Sequence, residues 1–269
     1  MQEKKYKIGI ALAGGGARGI AHIGVLKALA EEGIEADIVS GTSAGSIIGA
    51  LYAYGMTTDE MTDFVAVAKL YKAITIGLPT QGLTSLSYLK DHLSKYISKD
   101  NFDVLKKPLR IPIANINTGK IEIIEEGPLF ENIMASSAVP MVFKPIIKDG
   151  QTYVDGGLFM NLPAEPLRAE CDFVLGVNVM PNVPVDHTDV NNVVKITSRA
   201  LDLSVWHNSA QSYRFCDFVI ETKGANDYMQ FAFWKYEELI TVGYDATTAI
   251  MPELKQALAY HTDISARMK

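Results

Sequence analysis

The sequence predicts an α/β fold, a three-layer α/β/α arrangement around a mainly parallel central sheet, and three observations carry that prediction. Apolar runs of strand length, Tyr6 to Ala13 and Ala36 to Ser40, each lead through a glycine-bearing turn into a helical pattern. A third apolar run, Phe173 to Val179, has the same buried-strand character far along the chain. Strands alternating with helices make βαβ units, whose parallel sheet must be covered on both faces.

Taken in order, Tyr6 to Ala13 reads as a buried strand, and Ile20, Ile23, Leu26, Leu29 and Ala30 line one face of a helix over Ala17 to Glu32, closed by Gly33. The strand Ala36 to Ser40 leads into a helix from Ser46 to Tyr54 that ends near Gly55. Thr58 to Ser98 is helical in pattern but broken by a loop over Ile74 to Gly82, which reads as a lid or a plain connection. Arg110 to Asn115 and Lys120 to Glu125 flank Asn117-Thr118-Gly119 as a hairpin, and Pro145 to Ile147 and Gln151 to Val154 flank Lys148-Asp149-Gly150 as another. A helix over Leu129 to Ser137 separates them. After Phe173 to Val179 come a proline-bearing loop, a long helix from about Val190 to Tyr213, a strand Phe218 to Glu221 and a helical region through Leu258. With no repeat, low-complexity tract or linker, a single domain over 1–269 is expected.

Composition bounds the function. The chain is 48% hydrophobic and 21% charged, ordinary for a globular protein, and its net charge of −6 with no block of Lys or Arg argues against nucleic acid as a partner. No apolar run reaches the roughly 18 residues of a membrane span, so any membrane contact is expected to be peripheral. Met1 to Lys5 run straight into the first strand without a leader signature, which predicts a cytoplasmic protein, at most peripheral at the inner membrane face. Cys171 and Cys216 each precede an Asp and an apolar run, and read as reduced, half-buried thiols at strand starts.

Three glycine sites carry the chemistry. Gly41-Thr42-Ser43-Ala44-Gly45 lies between a strand and a helix, where a serine on a sharp turn is held in a strained conformation with its hydroxyl presented; Gly41 and Gly45 give the elbow room to bend. Read alone, the same residues are also a glycine-rich turn capping a helix. Gly14-Gly15-Gly16-Ala17-Arg18-Gly19 follows the first strand, and its amides at a helix N-terminus make a ready anion site. Asp155-Gly156-Gly157 follows a strand, so that Asp155 can project into a cleft with its carboxylate oriented by nearby amides, although D-G-G is also a common turn. Together the three supply a nucleophile, oxyanion donors and a base.

Gly14, Gly16 and Gly19 also satisfy the dinucleotide pattern G-x-G-x-x-G, but that fold requires an acid at the end of the second strand, and the only acid here, Asp37, stands at its beginning. A phosphate-binding P-loop would need Lys-Ser or Lys-Thr after the glycines, which this loop lacks.

In its G-G-G-x-R-G loop, G-T-S-A-G and D-G-G, in this order and spacing, the chain resembles the patatin-like phospholipases. The resemblance extends through Ala135-Ser136-Ser137-Ala138-Val139-Pro140, Phe143 and Pro145, and Asn161-Leu162-Pro163, covering roughly residues 6–180, with C-terminal helical and strand elements over about 181–269. It implies a variant of the α/β hydrolase architecture and a serine acyl hydrolase acting on fatty acyl esters of phospholipids or lysophospholipids. By position, Ser43 would be the nucleophile and Asp155 its base, without a catalytic histidine, metal or cofactor. The amides of Gly14, Gly15, Gly16, Ala17, Arg18 and Gly19 would form the oxyanion hole, with Arg18 helping to hold that loop or the oxyanion environment, and Gly156, Gly157 and Asn161 supporting the site. Nothing in the pattern speaks to oligomeric state.

The physical chemistry agrees: a carboxylate within reach of a hydroxyl can take its proton, and preorganised donors stabilise the oxyanion that results. Two alternatives stay open. One is a general carboxylesterase with a Ser-Asp-His triad completed by His187, His207 or His261; the other is a non-catalytic acyl-ligand-binding protein. His22, one turn into the first helix, reads as core packing or a support for the glycine loop. Tyr228 to Trp234, the most apolar and aromatic segment outside the sheet, reads as core, acyl channel or a surface resting on lipid.

Overall fold

The computed structural model describes residues 4–67 and 85–267. The loop expected over Ile74 to Gly82 lies outside them. Strands β1 (Tyr6–Leu12), β2 (Ile38–Gly41), β3 (Leu109–Asn115), β4 (Lys120–Ile124), β5 (Ile146–Lys148), β6 (Gln151–Asp155), β7 (Cys171–Asn178) and β8 (Phe218–Glu221) form a sheet of order β5-β6-β3-β2-β1-β7-β8, with β4 added on β3. From β3 through β2, β1 and β7 to β8 every pairing is parallel, whereas the β3–β4, β3–β6 and β5–β6 pairings are antiparallel, as the two expected hairpins require.

Helices α1 (Ala21–Glu31), α2 (Ala44–Tyr54), α3 (Thr58–Val67), α4 (Ser87–Leu93), α5 (Leu129–Ser136), α6 (Glu165–Arg168), α7 (Val193–Ser212), α8 (Tyr236–Ala249) and α9 (Met251–Arg267) complete the described elements. Alternation along β1 divides the apolar residues between two cores. Ile10 and Leu12 enter the larger one, built with α1, α2, α3, α4 and α5 and closed by Leu239 of α8 and Leu254 of α9. Ala11 and Ala13 enter the smaller one on the other face, with Val174, Leu162 and Leu167, covered by Tyr213 and Phe215.

Several boundaries differ from the sequence reading. The first helix is preceded by a 3-10 turn over Gly16–Ile20, because Gly16 takes φ +57° and the Ala17 amide is drawn 2.6 Å from the carbonyl of Gln230 instead of entering an α-helical ladder. The second strand starts at Ile38, since the Ala36 amide donates to the Tyr52 hydroxyl. The C-terminal helical region is two helices, parted at Ile250 and running on to Arg267. Asp37 caps the sheet by accepting the amides of Lys7 and Ile8, at the strand end opposite the glycine sites.

Candidate active site

The register of the sheet brings Ser43 and Asp155 together. Ser40 of β2 stands opposite Arg110 of β3, and Asp155 of β6 stands opposite Ile113. Following β2 for three more residues takes the chain to Ser43 at the level of Ile113. The parallel strand and the antiparallel one therefore run head to head along β3, and their ends carry the two residues.

At that junction Ser43 takes φ 53° and ψ −123°, a conformation costly for a residue with a Cβ, and α2 starts at the next residue. Surrounding bonds hold it there: its amide donates to Ser136 Oγ at 3.0 Å, Ser136 Oγ donates to the Pro112 carbonyl at 2.7 Å, and Ser46 Oγ donates to the Ser43 carbonyl at 2.6 Å. The flanking glycines are there for space. A Cβ on Gly41 would sit 2.3 Å from the Gly45 carbonyl oxygen, and one on Gly45 would sit 2.1 Å from that of Leu12.

The Asp155 carboxylate accepts the Gly157 amide at 2.7 Å on Oδ1 and lies near enough to the Ser43 side chain for that side chain to favour its charged form. Its own amide donates to the Ala138 carbonyl, so the segment 136–138 braces both residues. Burial pushes the carboxyl up to about 6, while the Ser43 and Gly157 bonds pull the other way by favouring the charged form. Ser136 and Ala138 belong to the Ala135-to-Pro140 motif, but their part in the site was not read from it. The signal available was the elbow itself, since an amide bent out of helix and strand needs an acceptor from elsewhere.

The glycine loop closes over the same point. A Cβ on Gly14 would lie 3.1 Å from Ser43 Cβ and 2.6 Å from Asn161 Oδ1. Its amide does not face the serine, because it donates to the Asn161 carbonyl at 3.1 Å; the amide of Ala17 is bonded to Gln230 and that of Arg18 to Gly15. Gly15 and Gly16 have no backbone acceptor among the described residues, and neither does Ala44, directly after Ser43. Of the six amides expected from sequence, those of Gly15 and Gly16 are without a backbone acceptor among the described residues, as is that of Ala44, which the sequence analysis does not name. Gly19 serves packing, a Cβ there falling 2.4 Å from Ala44 Cβ.

Asn161 is the link between the two loops: buried, it donates to Ser209 Oγ at 3.0 Å and to the Gly14 carbonyl, and its amide bonds Asn208 Oδ1. Asn208 also donates to the Gly157 carbonyl at 2.9 Å, so α7 is tied to the D-G-G turn by residues the sequence reading did not single out. Arg18 turns away from the serine: it donates to the carbonyls of Tyr228 and Asn226, and its charge meets Asp202 and Arg199 in a polar cleft of about 470 Å³ behind the loop. His22 is fully buried, donates from Nε2 to the Ala13 carbonyl at the root of the loop, and is driven down to about 4 by burial, hence neutral.

No histidine among the described residues hydrogen-bonds Ser43 or Asp155. His187 is solvent-exposed beside Asp186, His207 pairs with Gln211, and His261 lies 3.4 Å from Asp217 at the opposite end of the strands. Both cysteines are free; Cys171 is fully buried and, chiefly by burial, pushed up to about 12. Among the described residues no group of three His, Cys, Asp or Glu side chains is placed to hold a metal ion, and no helix is long and apolar enough to cross a membrane.

The profile of the patatin-like phospholipase family matches residues 10–168, more than half of the chain. The chain belongs to the patatin-like phospholipase family. The matched span holds Ser43, Asp155 and all three glycine sites. A patatin-like phospholipase domain-containing protein of Caenorhabditis elegans is 37% identical over 175 residues, 60% of this chain and 12% of that protein. Lysophospholipase nte1 of Aspergillus fumigatus is 31% identical over 193 residues, 68% of this chain and again 12% of the relative. The chain thus spans about an eighth of the length of these curated relatives. Among solved structures, VipD from Legionella pneumophila aligns with a TM-score of 0.53 at 16% identity, covering 96% of this chain and 67% of that one. Human GIVD cytosolic phospholipase A2 aligns with a TM-score of 0.52 at 13% identity, covering 96% and 59%. These two likenesses concern the fold.

Proposed function

We propose that this chain is a single catalytic domain that hydrolyses fatty acyl esters of phospholipids or lysophospholipids, with Ser43 as nucleophile and Asp155 as general base. The observation that carries the reading is the Ser43 side chain set beside a buried carboxylate whose charged form it favours, on a strained elbow, with the amides of Gly15, Gly16 and Ala44 lacking a backbone acceptor among the described residues. Ser43 Oγ attacks the acyl carbon as its proton passes to Asp155, and the carbonyl oxygen becomes an oxyanion accepting from the amides of Gly15, Gly16 and Ala44. Collapse breaks the ester C–O bond, and Asp155 returns the proton to the departing alcohol oxygen. Water, deprotonated by Asp155, then attacks the acyl-enzyme; Oγ leaves, recovers the proton, and the fatty acid is released.

Every proton moves between Ser43, Asp155, alcohol and water, so the step requires no metal. A small apolar slot beside Ala44, bordered by Ile20, Ile47, Phe64 and Phe233, has a volume of about 30 Å³, too little for a fatty acyl chain in this conformation, and marks the apolar side of the serine elbow. The relatives with lysophospholipase names favour a lipid ester over a soluble one. Two free cysteines fit a reducing, cytoplasmic setting, from which the domain touches its lipid peripherally.

An alkyl fluorophosphonate tests the reading. The protein should gain one adduct mass on Ser43 and should release fatty acid from lysophosphatidylcholine, and Ser43→Ala should do neither. An absence of adduct would favour a binding protein. Loss of turnover on replacing His187, His207 or His261 would transfer the base role to a triad.

A further inference from the structure

Helix α7 is built inside out over its first half. A surface helix normally turns apolar residues inward and charges to water. Here Val193, Ile196, Ala200 and Leu203, spaced three, four and three residues apart, form one face open to solvent, with Val193 79% exposed. The charged Arg199 and Asp202 turn toward the protein instead, Arg199 onto Asn182 and the Val183 carbonyl, Asp202 onto Gln230. Only the second half, through Asn208, Ser209 and Ser212, settles into the body.

The segments bonded to α7 share this character. Leu158 and Phe159, beside the Asn208 tether, are exposed, as are Val183 and Val185 beside Arg199. So are Met229, at 67%, and Trp234 in the segment held by Asp202. With Leu201, these account for ten of the fifteen large apolar side chains exposed among the described residues. They gather where the D-G-G turn and the glycine loop are anchored. Charge limits what covers them: with Arg199 and Asp202 engaged by the protein, the exposed Asp186, Asp189 and Lys195 leave mixed signs beside the apolar side chains, so an anionic surface is not selected.

We infer that the solvent-facing side of α7, with its flanking turns, is the face on which the protein docks to a phospholipid bilayer, held by apolar insertion into zwitterionic lipid and not by charge. This rests on the lipid-hydrolase reading for the identity of the occupant.

The test is co-sedimentation of the Ser43→Ala protein with phosphatidylcholine vesicles. Binding should be weakened about tenfold or more by the pair Ile196→Glu and Leu203→Glu, two apolar groups being replaced by charges on the inserting face. Ile147→Glu, at a still more exposed position on β5, should leave it unchanged. Adding phosphatidylserine, or salt to about 0.5 M, should alter binding less than about threefold, since screening acts only on charge. In the Ser43-bearing protein the pair should leave turnover of a soluble short-chain ester unchanged, which also reports folding.

Equal vesicle binding by the pair, or binding that needs phosphatidylserine, overturns the assignment while leaving the hydrolase reading intact. So does a self-associating parent made monomeric by the pair without any vesicle binding, which would make a second copy the occupant. Failure of fluorophosphonate labelling would instead strike the hydrolase reading, and the vesicle result would still judge this face.

Discussion

Replacing the proposed base by its neutral isostere should stabilise the protein, and only where the carboxyl is ionised. Asp155 is buried, and its carboxyl is raised from an ordinary 3.8 to about 6, chiefly by burial. The folded state thus holds the proton more tightly than the unfolded one, so stability falls as pH rises through the window from 3.8 to about 6. Above it both states are ionised and the full cost applies, about 3 kcal/mol at 1.36 kcal/mol per factor of ten. Below it both are protonated and the cost vanishes. Asp155→Asn escapes this cost while its Oδ1 can still accept the Gly157 amide. Thermal unfolding of the two proteins across pH should give curves that nearly coincide near pH 4 and part toward pH 8, the variant melting about 6 °C higher at ~2 °C per kcal/mol for a chain this long. Taking the difference cancels every other titrating group. A gap independent of pH, or one that narrows toward pH 8, would refute the idea that this carboxylate is held ionised at the expense of the fold.

Two further outcomes follow from the same geometry. On the proposed mechanism Asp155 accepts the Ser43 proton only when ionised, so kcat/KM on a soluble ester should be level at alkaline pH and fall about tenfold per pH unit below an inflection near 6, the value set by its burial; an inflection that disappears on substitution of a histidine would contradict this. Ser136→Ala strips the acceptor from the buried Ser43 amide, so it should lower stability by about 1–3 kcal/mol and slow fluorophosphonate labelling about tenfold, and labelling at the parent rate would remove Ser136 from the support of the elbow.

How far the sequence reveals the fold depends on how local the cause is. The strand Tyr6–Leu12, both hairpins and the long helix ending near Tyr213 follow from apolar period and turn residues, which act within a few positions. The 3-10 turn at Gly16 escapes such reading because its cause is the Gln230 carbonyl, brought by folding from far along the chain. The inverted first half of α7 escapes it too: the sequence reading of this helix assigned it no face, and only the tethers of Arg199 and Asp202 show which way its apolar residues turn.

At the site, residue types were legible and bond directions were not. The three glycine sites picked out of the sequence lie together in the fold, yet a glycine-rich loop has more amides than an oxyanion can use, and which remain unengaged depends on where Asn161 and Gln230 offer their carbonyls. Ser136 escaped notice for the same reason, its work being done on a backbone amide 93 residues away.

The geometry also explains why an acid could stand next to the serine with no imidazole between them. A triad uses histidine to span the gap from a serine to an acid held elsewhere. Here β3 pairs with β2 near its beginning and with β6 near its end, which closes that gap by register alone. Direct contact leaves a carboxylate as a weak base unless its surroundings change it. The junction that brings Asp155 to Ser43 is also the place where 136–138, the glycine loop and Asn161 exclude water, so the packing that creates the contact raises the basicity that the contact needs. The two properties are then one: a substitution that opened the junction to water would lower the Asp155 pKa and loosen its approach to Ser43 together, which is why the bracing residues are expected to act on rate through the pH profile as well as through position.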